Sequence, residues 1–403
     1  MSLNTERIRG DFPVLDKKIN GKPVIYFDNA CMTLRPRQVI EKVREYYEEY
    51  PSCGERSLHK LGKRVDEEVE NARKLLKKFI NAKRIEEIVF TKNTTEGINL
   101  VANSLRFERG DIVLTTDKEH NSNLLPWQRL VPKGVKHKIV ESGEDNTFSI
   151  ENFENMMSRN VRLVSVVHTS NLDGVTSPVK EIVKIAKDYG AKVLLDGAQS
   201  VPHREVDVKK LRVDFLAFSG HKMLGPSGIG VLYGKKELLD ELQTFIVGGG
   251  TVIDTTHYEA KFEELPQKFE AGLQNYAGII GLGEAVRYLM KIGKENIKKH
   301  EVMLNKIITD NLAEIVELIG PKDPEKRGGI FSFNLRGVNP HEIAMMLDEM
   351  ENVCVRSGAH CVHSWFNSHN LEGSVRASLY LYNTREECEK FAETVKRIAD
   401  LVK

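Results

Sequence analysis

Apolar residues recur at helical spacing from Pro36 to Tyr50 and from Val65 to Ile80, where Val65, Val69, Ala72, Leu76 and Phe79 share one face. Both stretches read as amphipathic helices packed on a larger body. Short apolar runs rich in β-branched residues then alternate with helical stretches: Ile88–Phe90, Ile112–Leu114, Leu163–Val167, Val193–Leu195, Phe215–Phe218 and Ile229–Tyr233. A strand covered on both faces has no wet side, so its sequence is continuously apolar. These runs predict an α/β layer around a mostly parallel sheet. Between two of them, Val179, Ile182, Val183, Ile185 and Ala186 mark a helix from Pro178 that stops at Gly190, completing a β-α-β unit.

From Gly278 to Ile319 the pattern is long and helical, and Gly328-Gly329 precede a new strand, Ile330 to Leu335. The expected division is a large domain over residues 21–282 and a smaller α+β C-terminal domain over 283–403, joined by segment 1–20, with the boundary near Gly283. Gly248-Gly249-Gly250 is the most flexible point, either a loop over a ligand or a turn.

Composition narrows the function. Of 403 residues, 59 are basic and 58 acidic, a net charge of +1 that argues against attachment to nucleic acid or anionic lipid by bulk charge. No run of eighteen uncharged apolar residues occurs, and Met1 to Arg7 lacks the apolar stretch of a secretory signal, so a cytoplasmic protein with no membrane partner is expected. The five cysteines are scattered and form no C-x-x-C pair, which points away from a disulfide framework or a zinc ribbon.

The run Val193 to Ser200 is a strand that delivers Asp196 and Gln199 at its C-terminal end, the edge where open α/β sheets bind ligands. A second buried run, Asp214 to Phe218, ends in Ser219-Gly220-His221-Lys222. A lysine beyond one strand and a carboxylate from its neighbour suit pyridoxal 5′-phosphate (PLP). The amine forms a Schiff base with the aldehyde, and the carboxylate keeps the pyridine nitrogen protonated so that the ring absorbs carbanion charge. Upstream, Thr91-Lys92-Asn93-Thr94-Thr95-Glu96 follows a strand and opens a helix, whose free N–H groups and two hydroxyls make a phosphate seat. Taken singly, Asp196 and Thr94 or Thr95 also read as helix N-caps. Three strand-end polar clusters of complementary chemistry favour the cofactor.

These segments, with Phe269-Glu270-Ala271-Gly272 and Arg356-Ser357-Gly358-Ala359-His360-Cys361, resemble the Suf-type cysteine desulfurase and selenocysteine lyase family. Its members are class V aminotransferase-like enzymes with the fold-type I PLP-dependent transferase fold. The match runs in order over nearly the whole chain. The resemblance implies that Lys222 is the Schiff-base lysine and the proton shuttle at substrate Cα, that Asp196 pairs the pyridinium, and that Gln199 bonds the phenolate oxygen. It places His120 on the ring, and Thr95, Ser219 and His221 on the phosphate with Thr94 beside them. Arg376 grips the substrate carboxylate through two parallel N–H bonds. Asn171 stands near the cofactor oxygen and that carboxylate.

By the same resemblance, Cys361 attacks the sulfur of L-cysteine, leaving a persulfide and alanine, with Arg356 and His360 lowering its pKa or orienting it and Arg356 counted with the substrate. On residues alone, His120 is equally a loop histidine, Asn171 a turn residue before Asp173-Gly174, and Cys361 a small buried hydrophobe. The remaining cysteines take that last reading, although Cys31 lies in a segment that borders the active site in the family. His360, Cys361, His363 and His369 fit no standard zinc spacing, so no metal is expected.

The family further implies a homodimer, with Glu55 to His59 lining the entrance and Arg56 reaching in from the partner. It also implies a sulfur acceptor or iron–sulfur scaffold protein, since the short stretch from Cys361 to Arg376 forms a compact loop of limited reach. Two positions depart from the family. Leu273 replaces a threonine whose hydroxyl reaches the phosphate across the dimer, so that either a neighbour such as Thr251 supplies that bond or the phosphate is held less tightly, and Glu55 stands where histidine is common. The leading expectation is an L-cysteine desulfurase feeding iron–sulfur cluster assembly. The alternatives are a selenocysteine lyase or other class V aminotransferase-like enzyme, and a scaffold that has lost the chemistry.

Overall fold

Seven strands form the central sheet: β1 (Ile88–Thr91), β2 (Ile112–Thr116), β3 (Lys136–Val140), β4 (Val161–Val167), β5 (Lys192–Asp196), β6 (Phe215–Ser219) and β7 (Gly230–Gly234). Their order is β1-β7-β6-β5-β4-β2-β3. Within this sheet β7 runs antiparallel to both its neighbours, so β1 points the same way as the other five. The carboxyl ends of β1, β2, β4, β5 and β6 therefore open on one edge. The computed structural model describes residues 3–55 and 57–402, so Arg56 lies outside the described residues.

Successive strand residues alternate between two cores, which is why the runs are apolar throughout. Leu163, Leu194, Phe215, Ala217 and Leu232 face one core with Ile98, Val101 and Trp127. Val164, Val193, Leu195, Leu216 and Phe218 face the other with Ile182 and Ala186 of the Val179–Asp188 helix. Six strands match the predicted runs. β3 is the one the pattern hides: it is an edge strand with exposed Lys136 and Lys138, and edge strands tolerate charge that blocks further pairing.

The helical run from Gly278 divides at Gly293, whose φ of 85° breaks it into helices Tyr276–Ile292 and Lys294–Leu312. Gly283 sits inside the first of these, where a Cβ would come within 2.8 Å of Ala72 Cβ; the missing side chain lets this helix lie against Lys60–Phe79. Glu317–Ile319 is a strand rather than helix, too short for its period to show. It joins Ile330–Asn334, Ser374–Ser378 and Arg356–Gly358 in a four-stranded antiparallel sheet, over a core that includes Leu304, Phe331, Phe333, Leu347 and Phe391.

The N-terminal segment binds both bodies. Ile25–Tyr26 pairs in parallel with Val353–Cys354, and Phe27 enters the small-sheet core. Phe12 packs on the Tyr382 ring at 4.5 Å, and Arg9 pairs with Glu387 at 2.7 Å.

Glu270, in the Phe269-Glu270-Ala271-Gly272 segment, holds β1 to the Lys60–Phe79 helix. Each of its oxygens accepts from Arg73 at 2.8 Å, and Oε1 also accepts the Phe90 N–H at 2.7 Å; both side chains are buried. Removing one partner strands the other charge in a dry site, so Glu270→Ala is expected to lower unfolding stability by about 3–5 kcal/mol. Denaturant titration reads it, and a loss below about 1 kcal/mol would place this pair with the weak surface bridges.

Candidate active site

The carboxyl edge of the sheet gathers the sequence candidates. Register sets Asp196 beside Val167 on β4 and Ala217 on β6, so the loops after β4 and β6 flank the acid. Apart from Thr251, every candidate named for cofactor, substrate and sulfur lines one cavity of about 440 Å³, together with Cys31 and Ser122.

At one end Ser219, closing β6, meets the start of the Thr94–Ser104 helix. Ser219 Oγ accepts the Thr94 N–H at 2.8 Å and lies 2.6 Å from Thr94 Oγ1. Thr95 Oγ1 is 2.7 Å from Ser122 Oγ. The N-cap is Asn93, whose Oδ1 accepts the Glu96 N–H, so the cap reading of Thr94 and Thr95 falls to their neighbour. Asp196 likewise caps no helix: it ends β5 and accepts the Ala198 N–H at 2.9 Å.

Desolvation dominates the electrostatics. Burial raises the Asp196 carboxyl, with the Ala198 N–H and Lys222 opposing, and burial lowers the Lys222 ammonium, with Asp196 opposing and Arg376 reinforcing. Burial, then Lys222 and Arg376, holds His120 down to about 3, so the ring is neutral near neutral pH. Its Nδ1 accepts the Ser122 N–H at 3.1 Å. His221 is held down to about 4 by burial and then by Lys222. Gln199 Nε2 donates to the Ala30 carbonyl at 2.6 Å, while its buried Oε1 has no protein partner among the described residues.

The opposite wall carries Arg376 from the small sheet. It is buried, its Nη1 donates to the Asn171 carbonyl at 2.9 Å, Nη2 lies 3.7 Å from Asp28, and Nε is unpartnered. Asn171 is both turn residue and bridge, since its Nδ2 donates to the His360 carbonyl at 2.8 Å. That turn is fixed from beneath by the buried Lys118–Asp173 pair at 2.8 Å. Gly174 is required in it, because at φ 75° a Cβ would fall 1.8 Å from the Arg327 carbonyl oxygen.

Cys361 is exposed at the cavity mouth on a tightly held loop. His360 and Cys361 both have left-handed backbone, at φ 48° and 59°, and the Cys361 carbonyl accepts the Asn121 N–H at 2.7 Å. The partners expected for its thiol are engaged elsewhere. His360 is buried with Nε2 on Ser374 Oγ at 2.8 Å, and burial keeps it neutral; Arg356 Nη2 donates to Cys31 Sγ at 3.1 Å. Thr251 also differs from expectation: it donates to the Gly248 carbonyl at 2.8 Å and closes its own turn, while Leu273 is exposed. Sequence reasoning missed Ser122, Asp28 and Glu119. Glu119 is fully buried, accepts from Thr116, Val167 and Asn123, and is pushed up to about 8 by burial. Its only sequence signal was its place beside His120.

The aminotransferase class-V family model matches residues 25–391. A probable cysteine desulfurase of Pyrococcus abyssi is 42% identical over 98% of this chain and 97% of its own, and one of Halalkalibacterium halodurans is 41% identical over 98% of each. The apo structure of a cysteine desulfurase from Thermococcus onnurineus superposes with a TM-score of 0.94 at 42% identity, covering 99% of both chains. With a sheet edge that presents an acid, a lysine and a phosphate-sized cluster of hydroxyls, this chain belongs to the class-V aminotransferase family, in its cysteine desulfurase branch.

Proposed function

We propose that the protein is a PLP-dependent L-cysteine desulfurase that converts L-cysteine to L-alanine and leaves a persulfide on Cys361. The observation that carries this reading is a single cavity walled by Lys222, Asp196, Arg376 and Cys361. The donor set suits the cofactor: an amine for the aldehyde, a buried carboxylate, the hydroxyls and helix start around Ser219, Thr94 and Thr95, and an amide oxygen, Gln199 Oε1, without a protein partner. When bound, PLP supplies an electron sink for charge at the substrate Cα.

The remaining work falls to the chain. Lys222 Nζ moves the proton at Cα, a task that favours the lowered amine. His120, neutral, is assigned to the ring, and His221 with Ser219, Thr94 and Thr95 to the phosphate. Arg376 holds the substrate carboxylate with its free Nε edge, braced by Asn171 and Asp28, and Arg356 adds positive charge at the entrance. Cys361 Sγ takes the substrate sulfur. Its exposure suits hand-over to an acceptor protein, and we assign the acceptor to iron–sulfur cluster assembly in the cytoplasm. Among the described residues no helix is long and apolar enough to cross a membrane.

We also infer a homodimer. Tyr258 at 94%, Leu58 at 81% and Leu273 at 76% exposure leave apolar surface on one chain, and Leu273 stands where the family resemblance puts the dimer contact. Light scattering of the purified protein is expected to give twice the mass of one chain; a monomer at micromolar concentration would remove this inference.

Incubation with L-cysteine is expected to yield alanine in the PLP-loaded protein. Cys361→Ala should keep the bound cofactor's visible absorbance and lose cysteine turnover; unchanged turnover would reject Cys361 as the sulfur-accepting group.

A further inference from the structure

The cavity holds a second sulfur. Cys31 lies in the turn after the Ile25–Tyr26 strand, with its N–H on the Asp28 carbonyl at 3.2 Å and the neighbouring Ala30 N–H on Ser378 Oγ at 2.9 Å. That turn is a fixed element, and Cys31 lines the same cavity as Cys361. The two thiols differ in company. Cys31 Sγ accepts from Arg356 Nη2 at 3.1 Å, whereas Cys361 Sγ is exposed and meets no hydrogen-bond donor among the described residues. Lys222 and Arg376 lie within electrostatic reach of both sulfurs. Arg376 lines the same cavity, buried, with its Nε unpartnered. The other three cysteines stand apart: Cys53 is exposed beyond the cavity, Cys354 approaches the Asn352 carbonyl, and Cys388 is in the small-sheet core.

We propose that Cys31 is a second sulfur carrier, which takes the outer sulfur from the Cys361 persulfide. This rests on the desulfurase reading above and extends it. The Cys31 thiolate attacks the outer sulfur. A new S–S bond forms at Cys31 as the bond to Cys361 Sγ breaks, and that electron pair leaves on Cys361 as thiolate. The hydrogen on the outer sulfur travels with it, so no outside oxidant or reductant is used. The sulfur passes from an exposed group that accepts no hydrogen bond among the described residues to one that accepts from a guanidinium, which can balance a sulfur anion. Cys361 is then free for a second L-cysteine before any acceptor arrives.

The test loads the PLP-bound full-length protein with L-cysteine in the absence of reductant, blocks thiols rapidly with an alkylating agent, and reads peptides by mass spectrometry while alanine is measured in parallel. The wild-type Cys31 peptide is expected to carry one extra sulfur. That extra sulfur should be lost in Cys361→Ser, and in Cys31→Ala the sulfane sulfur per subunit should fall by half. Alanine formation with a loaded Cys361 and a bare Cys31 peptide would overturn the relay while leaving the desulfurase reading intact. Loading of Cys31 in Cys361→Ser would overturn it too, as would a Cys31–Cys361 disulfide in place of the Cys31 persulfide. Absence of alanine would remove the desulfurase reading and the relay with it.

Discussion

Opposite charges taken out of water at the carboxyl edge of one sheet are the constraint on which this molecule turns. Asp196 and Lys222 each lose hydration in the cavity, and each is partly compensated by the other. Such a pair is held only if its surroundings are rigid, because a desolvated charge that can move will move to water. The two-faced apolar strands supply that rigidity. β4, β5 and β6 are locked in register between two cores, and Asp196 and Ser219 are the last residues of β5 and β6. A neutral His120 and a lowered Lys222 then follow from the same desolvation in one cavity rather than from separate devices.

The second element of the site is a bracket between the two sheets. Asn171, after β4, accepts from Arg376 of the small sheet and donates to the loop that bears Cys361. The Lys118–Asp173 pair and the close approach at Gly174 fix this bracket to its neighbours. Arg376 and Cys361 are thereby positioned against a floor built by a different part of the chain. The N-terminal stretch strengthens the join, with Ile25 and Phe27 in one core and Phe12 in the other.

Much of this was legible in the sequence for identifiable reasons. Strands buried on both faces announce themselves as apolar runs, and polar clusters at their ends mark the ligand edge, so six strands and the lysine, acid and hydroxyl positions could be read directly. β3 was hidden because an edge strand carries lysines, and Glu317–Ile319 because three residues have no readable period. Side-chain partnerships were the least legible. Arg356 bonds Cys31 instead of Cys361, His360 turns to Ser374, and Thr251 closes its own turn. The first depends on segments 325 residues apart, where spacing carries no information, and the last on a local turn that competes for the hydroxyl.

The most direct test of the account is chemical. Borohydride reduction of the PLP-loaded protein, followed by peptide mass spectrometry, should fix the phosphopyridoxyl group on the peptide that contains Lys222. Its attachment to another lysine, such as Lys118, or failure to attach to the folded protein at all, would contradict the assignment of this cavity as the catalytic centre.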